Sequence, residues 1–292
     1  MKYIRAVMLV LLILAHAPVS ASDCAPTDDS IQLPDGSSYC GDIKNNIFNG
    51  NGVLTWPNGK KYVGSFKDGM MHGSGKLILA NDDIYEGTFV NGVESGAGVY
   101  VFRGGDVYMG DFENGHLNGY GTLTTISGAK YIGEFKDGYF QGSGTFTHPN
   151  GDVYEGKFVK GRRTGKAKVT MPGVGIYTGL FVNGLYHGQG KTVYENGSMY
   201  VGRFEKGKCN GKGVHTLANG NVYKGNFRNG KYHGYGVYKL KNGDIYEGMF
   251  SNHNYNGEGL FTDSKGKRTL GVWKEGKLIS VIGAVKKVTP AI

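Results

Sequence analysis

Tyr62-Val63-Gly64-Ser65-Phe66-Lys67-Asp68-Gly69-Met70-Met71-His72-Gly73-Ser74-Gly75 is the stretch that decides the fold. Side chains alternate across a β-strand, so Tyr62, Gly64 and Phe66 share one face. Asp68-Gly69 follows, a dipeptide that favours two-residue hairpin turns. Beyond the turn come two more spaced glycines, Gly73 and Gly75. The stretch reads as a hairpin with an aromatic face and a floor of glycine.

The same pattern recurs through the chain. Tyr stands at 39, 62, 85, 108, 131, 154, 177, 200, 223 and 246, always 23 residues apart. Glycine follows two residues after each, and Phe four residues after all but the first, where Ile43 stands. A last half copy carries Thr269, Gly271 and Trp273. The one lapse among the later glycines is Ala167. A fixed period of this length is the mark of a repeat architecture.

A two-residue loop at Asp68-Gly69 would pair Phe66 with Met71, Gly64 with Gly73 and Tyr62 with Gly75. The glycines would then leave room for rings to lie across the neighbouring strand, which explains their use despite their entropic cost. A second turn is expected near Asn58-Gly59, Asn150-Gly151, Asn196-Gly197 and their equivalents. A two-residue loop there would throw the next Tyr onto the opposite face. A three-residue loop or a bulge is therefore predicted. The expected fold is all-β: an elongated, twisted, antiparallel single sheet of successive hairpins, two strands per repeat and roughly 95 Å long at the usual strand spacing.

Tyr-x-Gly-x-Phe-x-x-Gly-x-x-x-Gly-x-Gly with this period resembles the MORN repeat, and Tyr223-Lys-Gly-Asn-Phe-Arg-Asn-Gly-Lys-Tyr-His-Gly-Tyr-Gly is another near-ideal copy. The resemblance covers 39 to about 276. It implies a scaffold linked with membrane association, phospholipid binding or dimerisation. The best-known members of that family are intracellular, and the N-terminus of this chain departs from them.

That N-terminus has Lys2 and Arg5, then an apolar run from Ala6 to Ala15, then Val19-Ser20-Ala21, the pattern of a secretory signal peptide cleaved after Ala21. The organisation is thus a signal peptide (1–21), an N-terminal cap (22–38), the array of ten repeats plus a half (39–276) and a C-terminal cap or tail (277–292). Export to periplasm or extracellular space follows. An oxidising compartment favours a Cys24–Cys40 disulfide, worth about 3 kcal/mol in the chain-entropy model. Cys209 is left as a buried free thiol. The apolar run from Leu278 to Val285 is expected to cover the last strand.

Composition excludes much else. There are 52 glycines but only 7 prolines, and 20 tyrosines, which argues against collagen and against disorder. The Gly-x-Gly pairs lie in strands with no following helix, so they are not phosphate loops. His72, His187 and His233 share one slot with Ser95, Asn118 and Gln141. Copies in adjacent repeats would stand about 10 Å apart, too far to share an ion. No catalytic residue, metal, cofactor or nucleic-acid partner is expected.

What stands out is one basic repeat. Lys157, Arg162, Arg163, Lys166 and Lys168 lie near Lys160 and a single acid, Glu155. Parity puts Lys157, Arg162, Lys166 and Lys168 opposite the Tyr/Phe side, and Arg163 on it. These residues are candidate anion or lipid contacts. The expected function is a non-enzymatic exported scaffold for a protein partner or an anionic membrane surface, with homodimerisation through unpaired terminal strands. The alternative is a module that takes glycan or lipid in a groove formed by the aromatic ladder.

Overall fold

The structure, a computed structural model, describes residues 30–283. The signal peptide, Cys24 and the last nine residues, 284–292, fall outside them. Among the described residues there are 23 strands and no helix. The chain divides into two compact units after Gly138. In the first, an antiparallel meander runs from Ile31–Gln32 to Lys130–Lys136; in the second, another runs from Tyr139–Thr147 to Lys277–Gly283. The all-β, hairpin-by-hairpin architecture expected from the sequence is the one observed.

The repeat of Tyr62 shows the local logic. Lys61–Lys67 and Met70–Ile78 join through Asp68 (φ 50°) and Gly69 (φ 82°). Both central residues have positive φ, so the turn is type I′ and its twist suits the strands. Phe66 faces Met71 as predicted, but Gly64 faces Gly75 and Tyr62 faces Leu77. The expected pairing of Tyr62 with Gly75 is therefore corrected. A bulge after Gly64 inserts two extra residues on the second strand. Gly73, at φ 73°, sits in that bulge and takes a left-handed conformation open to glycine. Two extra residues preserve parity, so the aromatic face survives.

The second turn is a three-residue loop. Trp56 N–H donates to Lys60 O at 2.9 Å, and Gly59 N–H returns to Trp56 O at 3.0 Å. Gly59 has φ 86°, completing a type I turn with a glycine bulge. Leu54 then faces Tyr62, keeping both on one side. The irregular repeat reaches the same result through Pro172-Gly173-Val174, with Met171 facing Gly175 and Val169 facing Tyr177.

The core is the ladder itself. All ten repeat tyrosines are buried, as are Phe66, Phe89, Phe112, Phe135, Phe158, Phe181, Phe204, Phe227 and Phe250. Each ring packs edge-on to its neighbours: Tyr62 meets Phe66 at 5.1 Å and Phe89 at 5.0 Å, and Tyr200 meets Phe204 at 5.1 Å and Phe227 at 4.8 Å. Such T-shaped pairs suit the aromatic quadrupole. The rings lie on the glycine floor. A Cβ built on Gly75 would run into Oη, Cε2 and Cζ of Tyr62. The glycines make room for the rings as expected, from a different register.

At the ends, Ile31–Gln32 pairs with Ser38–Lys44. Lys277–Gly283 pairs with Arg268–Lys274, setting Leu278 across from Trp273. Leu278, Ile279, Val281 and Ile282 on that last strand are all exposed.

Candidate functional surfaces

Burial of the ladder narrows one expected site. Tyr62, Tyr85, Tyr108, Tyr154, Tyr177, Tyr223 and Tyr246 have no exposed surface at all. Their rings are spent on one another, so these tyrosines form no open groove, and ring surface for a glycan or lipid is left only to the aromatic side chains around them. Above it, a second layer of rings stacks face to face: Phe48 on Tyr39, Tyr186 on Tyr177, Tyr232 on Tyr223 and Tyr255 on Tyr246, with centroids 3.7–3.8 Å apart.

In the basic repeat, Arg163 takes the slot of that second ring. It faces Phe158 across the hairpin. Its guanidinium lies over Tyr154, 5.1 Å from the centroid, and 5.9 Å from Phe146. Arg163 also bonds the ring of His148. Burial, then the nearby guanidinium, pushes the His148 pKa down from its ordinary value. A cation over a ring face replaces an aromatic stack there. Arg163 thus serves packing on the ladder side, apart from the other four candidates.

Lys157, Arg162, Lys166 and Lys168 are exposed on the opposite, outward side. Lys168 is held by Glu155 at 3.1 Å, across the strand pair. Lys160 stands in the type I′ turn at φ 47°. Lys160, Arg162, Arg163, Thr164, Tyr139, Val159 and Asn183 border a hollow of about 660 Å³.

The outward side extends this cluster in a way the sequence reading missed. Lys168 faces Thr178, which faces Lys191, and Gln189 faces Arg203. Among the strands spanning 153–205, the outward carboxylates are Glu155 and Glu205; the first holds Lys168 and the second accepts from Asn210 at 3.0 Å. Between the cations stand the exposed aliphatics Ile176, Leu180, Val182, Leu185, Val193 and Val201. Following strand parity through three repeats, rather than one, would have found Lys191 and Arg203. In the first unit the outward lysines alternate with acids, as where Lys76 meets Glu86 at 3.9 Å.

The ladder side of the second unit holds a separate pocket of about 430 Å³, lined by His215, Leu217, Tyr232, Tyr238, Phe250, His253, Asn254, Tyr255 and Gly276. His215 Nδ1 and Tyr232 Oη are 2.8 Å apart. Tyr238 Oη accepts from Asn221 Nδ2 at 2.9 Å. Burial pushes the pKa of His215 down, with His253 adding to it. Burial and then Lys231 do the same to His253.

Cys209 is a free, half-buried thiol whose pKa burial raises to about 11. Cys40 lies half-buried on its strand, while Cys24, its expected partner, falls outside the described residues. No group of three or more metal-ligating side chains occurs among the described residues, and no helix there is long and apolar enough to cross a membrane.

The family model described as MORN repeat matches residues 39–61, 62–84, 85–107, 108–130, 131–153, 154–172, 177–199, 200–222, 223–245 and 246–268. The unmatched residues 173–176 comprise the end of the irregular loop, Gly173-Val174, and the first two residues of the next strand, Gly175 and Ile176. No curated protein matches the chain. Among solved structures, the TCP10 domain of Danio rerio CPAP is 13% identical, with 80% of this chain and 99% of that one covered at a TM-score of 0.34. The TCP domain of Drosophila melanogaster SAS-4, solved with a proline-rich motif of Ana2, is 15% identical, covering 66% and 97% at a TM-score of 0.35. Both scores are low, and no functional statement follows from them.

Proposed function

The chain belongs to the MORN repeat family, and on that premise we propose a non-catalytic, exported binding scaffold that docks on an anionic membrane surface. One observation carries the reading. The outward side of residues 153–205 presents Lys157, Arg162, Lys166, Lys168, Lys191 and Arg203 beside exposed aliphatics, with two carboxylates that are both already bonded. Each Lys or Arg near an anionic bilayer contributes about 1 kcal/mol. Aliphatic side chains among them reach the headgroup boundary, where burial adds to the charge attraction. Strand pairing fixes these groups on one side of the sheet, so little backbone ordering entropy opposes their joint contact.

Co-sedimentation with phosphatidylserine-containing and pure phosphatidylcholine vesicles tests this. Binding should require the anionic lipid and weaken with salt. Lys157→Glu with Arg162→Glu should cut it at least about tenfold. Binding indifferent to lipid charge and to these changes would sink the proposal, and capture of an acidic protein on the same residues would replace it with a protein partner.

Export is part of the proposal, supported by the pattern in residues 1–21. The N-terminal residue of the purified native protein should be Ser22. Homodimerisation is the remaining part. It rests on the exposed Leu278, Ile279, Val281 and Ile282 of the last described strand. Val281→Lys should lower the mass seen in sedimentation equilibrium if copies pair there.

A further inference from the structure

The ladder-side pocket lies on the other face of the second unit from the cationic surface, and its chemistry differs. Its lining has no Lys, Arg, Asp or Glu, in a chain that is 20% charged. Nothing in it would balance a phosphate, a carboxylate or an ammonium group, so its ligand is uncharged. The floor is apolar, made by Leu217, Phe250 and the tyrosine rings. Residues with polar tips border it nevertheless: His215, Tyr238, His253, Asn254 and Tyr255.

An acyl chain would satisfy the floor but give nothing to the capacity these groups keep beyond their internal bonds: the Tyr238 hydroxyl, which accepts from Asn221 and can still donate, and the second ring nitrogen of His215, whose Nδ1 pairs with Tyr232. A pyranose ring matches both features. It has a C–H face that packs on aromatic rings and a rim of hydroxyls that donate and accept at once. The imidazoles suit that role: the pKa of each is pushed down, which favours the neutral ring, and with Nδ1 of both turned to Tyr232 the other ring nitrogen is the one left for a ligand. A volume near 430 Å³ lies within the usual range for a small-ligand site. The rings are also held in place: Tyr232 stacks on Tyr223 and Tyr255 on Tyr246. The platform is therefore pre-formed.

We infer that this pocket is a binding site for a short, uncharged oligosaccharide segment. The site is independent of the membrane-docking surface and uses none of its residues.

Calorimetric titration of the intact protein with cellotetraose, maltotetraose, laminaritetraose, mannotetraose and chitotetraose tests it, with lauric acid and a proline-rich peptide titrated in parallel. At least one neutral sugar should bind. Tyr238→Ala should weaken that binding at least about tenfold. Asn254→Ala, at an exposed position that leaves the ring core intact, should weaken it about threefold or more. Arg162→Glu should leave it unchanged while reducing vesicle binding, so the two sites fail separately. Silence from all five sugars would overturn the inference. So would sugar binding that survives both pocket substitutions, or binding confined to the fatty acid or the peptide.

Discussion

At the residue scale, the tyrosine of each repeat has a task that phenylalanine could not perform. Tyr62 Oη donates to Ser65 O at 2.9 Å, and Ser65 stands where the bulge breaks the register. The same bond recurs in every repeat, from Tyr39 to Asp42 O at 2.8 Å through Tyr246 to Met249 O at 3.1 Å. Tyr62→Phe would leave a carbonyl without its partner and should destabilise its repeat by about 1–3 kcal/mol in urea unfolding. Two glycines of one repeat should fail for different reasons. Gly75→Ala drives a Cβ into the Tyr62 ring, an overpacking cost of about 1–3 kcal/mol or more. Gly73→Ala has no contact closer than 3.6 Å but must hold φ 73°, costing about 1–2 kcal/mol. Tyr62→Leu, made in each background, separates them: it should relieve the first substitution and not the second. Arg163 offers a third case. Arg163→Ala uncovers Tyr154, whereas Arg163→Phe should restore the stack that Phe48 makes on Tyr39 and recover most of the lost stability.

At the element scale, each hairpin is closed by a type I′ turn and linked to the next by a three-residue loop, while its buried face is a row of phenols. That row has a pH consequence. Burial pushes the pKa of Tyr39, Tyr223 and Tyr246 up to about 12, and that of Tyr62, Tyr85 and Tyr108 higher still. An unfolded tyrosine ionises near pH 10. Between those values the folded chain keeps protons that the unfolded chain gives up, so stability falls as pH rises. The stabilisation is whole below about pH 10 and is lost as pH climbs through the folded values. Circular dichroism and the tyrosinate absorbance of the buried repeat phenols should therefore change together, in a steep transition above about pH 10, rather than phenol by phenol. Gradual ionisation of those buried phenols with the sheet intact would show that they are not locked.

At the scale of the whole molecule, the excess positive charge is unevenly used. In the first unit, Asp42, Glu86, Asp111, Glu113 and Glu134 are interspersed among the outward lysines. In the second, Lys157 to Arg203 stand almost unopposed. Charge reversal at Lys76 and Lys130 should therefore leave vesicle association unchanged, although it alters net charge as much as reversal at Lys157 and Arg162. Equal loss from both pairs would mean that net charge alone, rather than a surface, drives association. Stability of such arrays is a sum of local and neighbouring terms, so damage to one repeat should stay near it.

By itself the sequence determined the all-β class, the repeat, the turn chemistry at Asp68-Gly69 and the parity-keeping loop at Asn58-Gly59. These follow from local rules: alternation of side chains, positive φ at turn glycines, and a fixed period. It also singled out the basic repeat and placed Arg163 on the side opposite its neighbours. Strand parity alone did not predict the register. Whether Gly64 meets Gly73 or Gly75 depends on a bulge, and the hydroxyl of the tyrosine three residues earlier caps the carbonyl at that bulge. Nor could parity tell whether the ladder was a groove or a core, since that turns on how rings from successive repeats cover one another. Lys191 and Arg203 were within reach of parity followed over three repeats, whereas the joining of His215 and His253 to one pocket was decided by tertiary structure. The two histidines are separated by one or more repeats in the chain, and only strand pairing and ring packing bring them together.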